Sequence, residues 1–156
     1  MATIIRRARA AEAESLTLIA HAAKRYWQYP ERWLEVWREA LTVTPDFIRC
    51  NEVYVAMDEA QIIGFYALLL ADDRATLEHL WIAPAHIGRG FGEKLFKHAT
   101  ERASALGATL LAIEADPHAE GFYQRMGAEK CGEVASLIEA QRRVLPHLVY
   151  HLDREF

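Results

Sequence analysis

Cysteine is almost absent from this chain: Cys50 and Cys131 stand alone among 156 residues. With no C-x-x-C pair and no metal-ligand spacing, neither a disulfide framework nor a structural metal organises the fold. Isolated thiols of this kind are expected to be buried, in a reducing compartment. Positive charge is not in surplus either. Lys and Arg number 18 against 22 Asp and Glu, for a formal net charge of −4, which argues against nucleic acid as a partner, since that partner calls for a basic face. Long apolar runs are missing as well. The longest, Ile62 to Leu70, is far short of the ~20 residues that span a bilayer. Arg6, Arg7 and Arg9 precede Leu16-Thr17-Leu18-Ile19-Ala20, but Glu12 and Glu14 break that stretch, so it reads as an amphipathic helix and not as a signal peptide. These absences leave an ordinary cytoplasmic globule with no membrane partner, and the length suits a single domain over residues 1–156.

The periodicities place the elements. Thr3 to Ala8 reads as a strand and Ala10 to Ala23 as a helix with Leu16, Ile19 and Ala20 on one face. Pro30 opens a helix over Glu31 to Leu41, whose Trp33, Leu34, Val36, Trp37 and Leu41 recur at helical spacing. Thr44-Pro45-Asp46 repeats the cap-then-proline signature for a short third helix. Val53 to Val55, Ile62 to Leu70 and Ala75 to Ile82 are strand-like runs separated by the turns Asp58-Glu59-Ala60 and Ala71 to Arg74, which makes an antiparallel meander. A helix then runs to Leu106 with Gly107 just beyond its end. Leu110 to Glu114 is a strand, Ala119 to Met126 a short helix closed by Gly127, and Ala128 to Val134 and Leu148 to Leu152 the last strands. A meander that turns into β-α-β-α-β is a mixed α/β sheet covered by helices.

The most informative residues are Gly88-Arg89-Gly90-Phe91-Gly92. They follow Leu80-Trp81-Ile82-Ala83-Pro84 and lead directly into the helical pattern Glu93-Lys94-Leu95-Phe96. Strand, glycine-rich turn and helix together aim backbone N–H groups and a positive helix end at one point. Glycines there remove the Cβ atoms that would hold a ligand off the backbone. A diphosphate fits such a place.

With this context, Leu77 to Gly127 resembles the GNAT acetyltransferase superfamily. The family's phosphate signature is Arg or Gln, two residues, Gly, one residue, then Gly or Ala; Ile87, Gly90 and Gly92 hold those places here. The glycines match and the leading polar residue does not. Asp116-Pro117-His118-Ala119-Glu120-Gly121-Phe122-Tyr123, followed by Gly127, is similar to the family's Asn-x-x-Ala-x-x-Phe-Tyr-x-x-x-Gly segment, with Asp116 in the usual place of Asn.

The resemblance implies a mostly antiparallel sheet splayed between its fourth and fifth strands and flanked by helices. It implies acetyl-CoA as co-substrate and no metal. Pantetheine would pair with the backbone of Leu80, Trp81 and Ile82. The N–H groups from Gly88 to Glu93, Phe91 among them, would hold the pyrophosphate, with Arg89 supplying part of the charge that Ile87 lacks. Asp116, Ala119 and Phe122 complete the implied cofactor contacts, and Phe122 is expected in the core.

Acetylation of an amine needs a neutral amine, donors for developing negative charge and a proton for the departing thiolate. By resemblance Tyr123 is the thiolate's general acid; otherwise it is a packed helix aromatic. Glu78 is the candidate base, on the strand face of Leu80 and Ile82, or else a solvent-facing carboxylate. His79 falls on the opposite face, toward the core. His118 is a second base candidate, with a cofactor contact or a plain loop position as its other readings. Trp27 and Tyr29, in a loop where the family builds one wall of its acceptor pocket, are candidate substrate contacts, while Trp33 and Trp37 read as core. The sequence thus reads as an N-acetyltransferase working on a primary amine of a small molecule or peptide. A non-catalytic acyl-CoA-binding or sensing module, and a toxin-like enzyme acting on aminoacyl-tRNA, are the alternatives. Pairing of two copies through the C-terminal strands is a habit of the family.

Overall fold

Three alternating segments of β-branched and aromatic residues, joined by turns of two residues, build the middle of the molecule. The computed structural model describes residues 3–152. In chain order they form β1 (Ile4–Arg7), α1 (Ala13–Arg25), α2 (Glu31–Trp37), α3 (Pro45–Cys50), β2 (Glu52–Asp58), β3 (Gln61–Ala71), β4 (Arg74–Ile82), α4 (Phe91–Ala105), β5 (Leu110–Glu114), α5 (Glu120–Arg125), β6 (Glu129–Ile138) and β7 (Gln141–His151). The hydrogen-bonded strand order is β1-β2-β3-β4-β5-β7-β6. The β1–β2, β5–β7 and β6–β7 pairs are antiparallel. β4 and β5 run parallel, and their ladder ends at Thr76↔Ala112 although β4 continues to Ile82. This is the mixed α/β sheet flanked by helices that the sequence implied, with its parallel pair at strands four and five. Among the described residues no helix is long and apolar enough to cross a membrane.

The chain gathers into two compact units, with the division falling inside β3, β4 and α4. The first holds the residues up to Ala67 together with His79–His98. Its core packs Leu16 and Ala20 of α1 and Ile48 of α3 against Val53, Val55, Phe65 and Ala67 of the strands. The second holds Leu68–Glu78 and the chain from Ala99 onward, with Leu77, Ala103, Leu111, Ile113 and Leu148 buried. Burying each valine, leucine, isoleucine or phenylalanine of these cores contributes roughly 1.5–3 kcal/mol.

Local chemistry sets the boundaries. The Thr44 hydroxyl accepts from the Phe47 N–H at 3.0 Å, with Pro45 in the first turn of α3, as the cap signature required. Helix α2 stops at Trp37, four residues before the expected Leu41. There Thr42 Oγ1 donates to the Arg38 carbonyl at 2.7 Å, and a hydroxyl that takes a backbone acceptor competes with helix propagation. Gly107 takes φ +95° while the Ala108 N–H reaches back to the Ala103 carbonyl at 3.0 Å, closing α4 as its glycine indicated.

Two further expectations are corrected. The last two strands are much longer than expected, because Glu139 and Ala140 take φ 50° and 64° and turn β6 directly into β7 as a two-residue hairpin. Both cysteines are exposed and not buried. Cys50 is the last residue of α3, two positions beyond the buried Ile48. Cys131 lies on β6, at the end of the strand order, where every residue but Ile138 is exposed.

Candidate functional site

In the first unit, β4 delivers the chain into the glycine turn. The Ala83 N–H donates to the Ile63 carbonyl at 2.8 Å, fixing the exit of the strand. Gly64 of β3 makes that approach possible. A Cβ there would lie 2.8 Å from Ile82 Cδ1 and 2.9 Å from the Trp81 carbonyl oxygen, closer than real contacts allow. After a 3-10 turn at Pro84–His86, Gly88 and Gly90 take φ +84° and +83°. A Cβ at either would meet nothing within 4 Å. These glycines therefore serve the backbone path and the open space above it, and not packing.

Gly90 opens α4, since its carbonyl accepts from the Lys94 N–H at 3.2 Å. The N–H groups of Phe91, Gly92 and Glu93 belong to the first turn, which a helix cannot satisfy from within. Cationic side chains stand beside them. Arg89 Nη1 donates to His86 Nδ1 at 2.7 Å and lies 3.5 Å from an Asp58 carboxylate oxygen. The Arg89 guanidinium and the Lys94 ammonium lie 5.1 and 5.7 Å from the centre of the Phe91 ring. Phe91 itself is buried, whereas Ile87 is 40% exposed and brings no polar group.

Leu80, Trp81 and Ile82 are half-buried. His79 is buried beside them, with Phe47 and Phe65 rings at 5.8 Å. Trp81 Nε1 donates to His79 Nδ1 at 3.0 Å, which leaves the ring proton on Nε2. Burial lowers the His79 pKa from 6.5 to about 4, so this histidine is a neutral core residue, as its strand face indicated. Trp27 is 40% exposed. Tyr29 stacks on Trp33 at 6.0 Å and meets Trp37 edge-on at 5.0 Å. The Lys24 ammonium lies 4.2 Å from the centre of the Trp37 ring and 5.0 Å from that of Tyr29. Trp33 and Trp37 are half-buried members of this cluster and not fully core.

In the second unit, Glu78 is exposed on β4. Past the end of β5, the Asp116 carboxylate caps the 3-10 turn Pro117–Ala119. Its Oδ1 accepts from the His118 backbone N–H at 2.9 Å and from His118 Nδ1 at 2.8 Å. Its Oδ2 lies 3.8 Å from Arg143 Nη2 of β7. Asp116 and Arg143 side chains are only 11% and 12% exposed, while that of His118 is 41% exposed. Arg143 lies in a stretch the sequence reading left outside any strand, and no local pattern marked it.

Tyr123 follows on α5 at 7% exposure. Burial first, and the Asp116 charge second, raise its phenol well above the usual range. Its neighbour Phe122 lies 5.2 Å away, edge to face, but is only half-buried. The expected order is reversed: the tyrosine, not the phenylalanine, is the buried member. Ala119 is half-buried at the close of the 3-10 turn. Gly127 at φ +104° ends the segment, and the Ala128 N–H donates to the Tyr123 carbonyl at 3.0 Å.

The implied diphosphate and pantetheine residues, with Trp27 and Tyr29, thus belong to the first unit, and Glu78, Asp116, Ala119, Phe122 and Tyr123 to the second. Residues 49–127 match the family model described as "Acetyltransferase (GNAT) domain". The chain is 31% identical over 106 residues to streptothricin acetyltransferase of Streptomyces lavendulae, an alignment that covers 64% of this chain and 56% of that protein. The chain therefore spans little more than half the length of that relative. The PaiA N-acetyltransferase of Thermoplasma acidophilum, solved in complex with coenzyme A, superposes with a TM-score of 0.79 at 17% identity, covering 97% of this chain and 99% of that one. Nourseothricin acetyltransferase is 28% identical with a TM-score of 0.59, covering 65% of each chain. With its glycine turn, its parallel β4–β5 pair and half of its length within the family model, the chain belongs to the GNAT acetyltransferase family.

Proposed function

We propose that this chain transfers the acetyl group of acetyl-CoA to a primary amine of a small molecule or peptide, by direct attack in a ternary complex and without a metal. We read its whole length as one such catalytic domain, working in the cytoplasm. The observation that carries the reading is the pair of glycines at φ +84° and +83° opening α4 with empty space where side chains would stand. That cradle suits the diphosphate of CoA, and Arg89 and Lys94 add positive charge beside it. The backbone of Leu80 to Ile82, beyond the end of the β5 ladder, suits pairing with an extended amide chain such as pantetheine.

Tyr123 faces the sulfur in this reading. Burial and the Asp116 anion hold the proton on its oxygen, so Tyr123 donates a hydrogen bond to the thiolate as charge develops and keeps its proton through most of that step. The base that accepts the amine proton is either Glu78 or His118. Trp27, the more exposed of the two acceptor candidates, and Tyr29 offer aromatic faces to a cationic acceptor. The names of the streptothricin and nourseothricin acetyltransferases support a small-molecule amine.

The test is a panel of amino acids, polyamines, amine-bearing antibiotics and short peptides incubated with acetyl-CoA, reading released thiol. Amine-dependent thiol release is expected. CoA binding without release across the panel would favour the acyl-CoA-binding module instead. Transfer confined to aminoacyl-tRNA would favour the toxin-like alternative.

A further inference from the structure

We infer that His118 is the general base for the acceptor amine, oriented by Asp116, whose charge Arg143 balances. This rests on the acetyltransferase reading and assigns the one role that reading leaves between two residues. A carboxylate only accepts hydrogen bonds, so the 2.8 Å contact from Asp116 Oδ1 to His118 Nδ1 puts the ring proton on Nδ1 and makes Nε2 the basic nitrogen. The same oxygen holds the His118 backbone N–H at 2.9 Å, so one carboxylate fixes both the loop and the ring that it carries. A base positioned by a buried carboxylate is the arrangement of hydrolytic His–Asp pairs.

Exposure separates this from a mere cap. Capping the turn needs only a side-chain oxygen, which Ser or Asn would supply equally well. Here the orienting pair is nearly dry, at 11% and 12% exposure, while the imidazole reaches outward at 41%. Arg143 Nη2, 3.8 Å from Oδ2, offsets the cost of keeping Asp116 ionised out of water. Tyr123 feels that same carboxylate, which couples the sulfur's hydrogen-bond donor to the amine's base through one residue.

The neutral amine's lone pair forms the N–C bond at the thioester carbonyl, and the C–S bond breaks. The proton shed by nitrogen passes to His118 Nε2. Sulfur leaves hydrogen-bonded to Tyr123 and takes its proton from the imidazolium by way of solvent, giving the amide and the CoA thiol.

The experiment compares wild type, His118→Gln, Asp116→Asn and the double variant, with 15N NMR of the His118 ring as a readout independent of turnover. Asp116→Asn keeps the capping oxygen and removes the anion. His118→Gln should lower kcat by roughly a hundred- to ten-thousand-fold with KM for acetyl-CoA unchanged. Asp116→Asn should lower kcat, and the double variant should be no slower than His118→Gln alone. The ring should carry its proton on Nδ1 in wild type and lose that preference in Asp116→Asn. The assignment is overturned by an Nε2-protonated ring in wild type, by a His118→Gln rate within a few-fold of wild type, or by an Asp116→Asn effect confined to KM for acetyl-CoA. A wild type that binds CoA but acetylates no amine would instead remove the underlying reading. The ring NMR tells the two failures apart.

Discussion

His79 makes the stability of this chain depend on pH in a way its surface charges do not. Its folded pKa, about 4, lies below the 6.5 of the exposed ring, and burial is the cause. Above the unfolded value both states are neutral and the group contributes nothing pH-dependent. As pH falls below it, the unfolded chain takes up a proton that the folded chain refuses, so stability drops until the folded value is reached. At about 1.4 kcal/mol per pKa unit, the loss between about pH 7 and pH 4 is about 3 kcal/mol, a large share of a domain's stability. His79→Asn isolates it, because Asn Oδ1 stands where Nδ1 accepts from Trp81 Nε1 but does not titrate. The assay is denaturant unfolding followed by tryptophan fluorescence at several pH values, with the two proteins compared at each. At neutral pH the variant should be the less stable, from the space it leaves between Phe47 and Phe65. That gap should close by about 3 kcal/mol on acidification, since every other group titrates in both proteins and cancels. A wild-type-minus-variant difference that stays constant with pH would refute a buried neutral His79.

Gly90→Ala should destabilise by about 1 kcal/mol from backbone strain alone, since its Cβ meets no neighbour, and should weaken the thermal stabilisation by CoA. In wild type that stabilisation is about 2.7 kcal/mol at a hundred times Kd; an undiminished shift in the variant would move the ligand off this turn. Tyr123→Phe should leave KM for acetyl-CoA unchanged and slow turnover by roughly a hundred- to a thousand-fold, as for loss of one donor to developing charge. A rate within a few-fold of wild type would make Tyr123 a packing residue. Replacing Glu139-Ala140 by Asn-Gly should raise stability by about 0.5–1 kcal/mol, read as an upward shift of the unfolding midpoint. A lower midpoint would count against left-handed backbone at those two positions.

What the sequence revealed and what it hid follow from the range of the interactions involved. The glycine turn, the caps at Thr44 and Gly107 and the inward face of His79 rest on chemistry within a few residues, and each was legible. The β6–β7 hairpin was not, because Glu-Ala carries no turn signature although both residues take positive φ; the strands were cut short in consequence. The Phe122–Tyr123 inversion escaped because composition ranks phenylalanine as the more buried type, while position on α5 decides. The cysteines defied the same kind of average, since the face or strand that carries each is open. Arg143 reaches Asp116 from a distant strand, a pairing that only the β5–β7 register creates, and so the charge that balances Asp116 was invisible in the local motif. Gly64 read as part of an apolar run, and only the approach of Ile82 and the Trp81 carbonyl explains it.

Calorimetric titration of the protein with CoA and, separately, with pantetheine decides whether the glycine turn holds the cofactor. Pantetheine keeps the thiol and the amide chain and lacks the diphosphate assigned to the Gly88–Gly92 turn. Tight binding of CoA, weak or undetectable binding of pantetheine, and a smaller difference between the two in Gly90→Ala are expected. Equal affinity for the two ligands, or no heat with CoA at any concentration, would contradict that assignment.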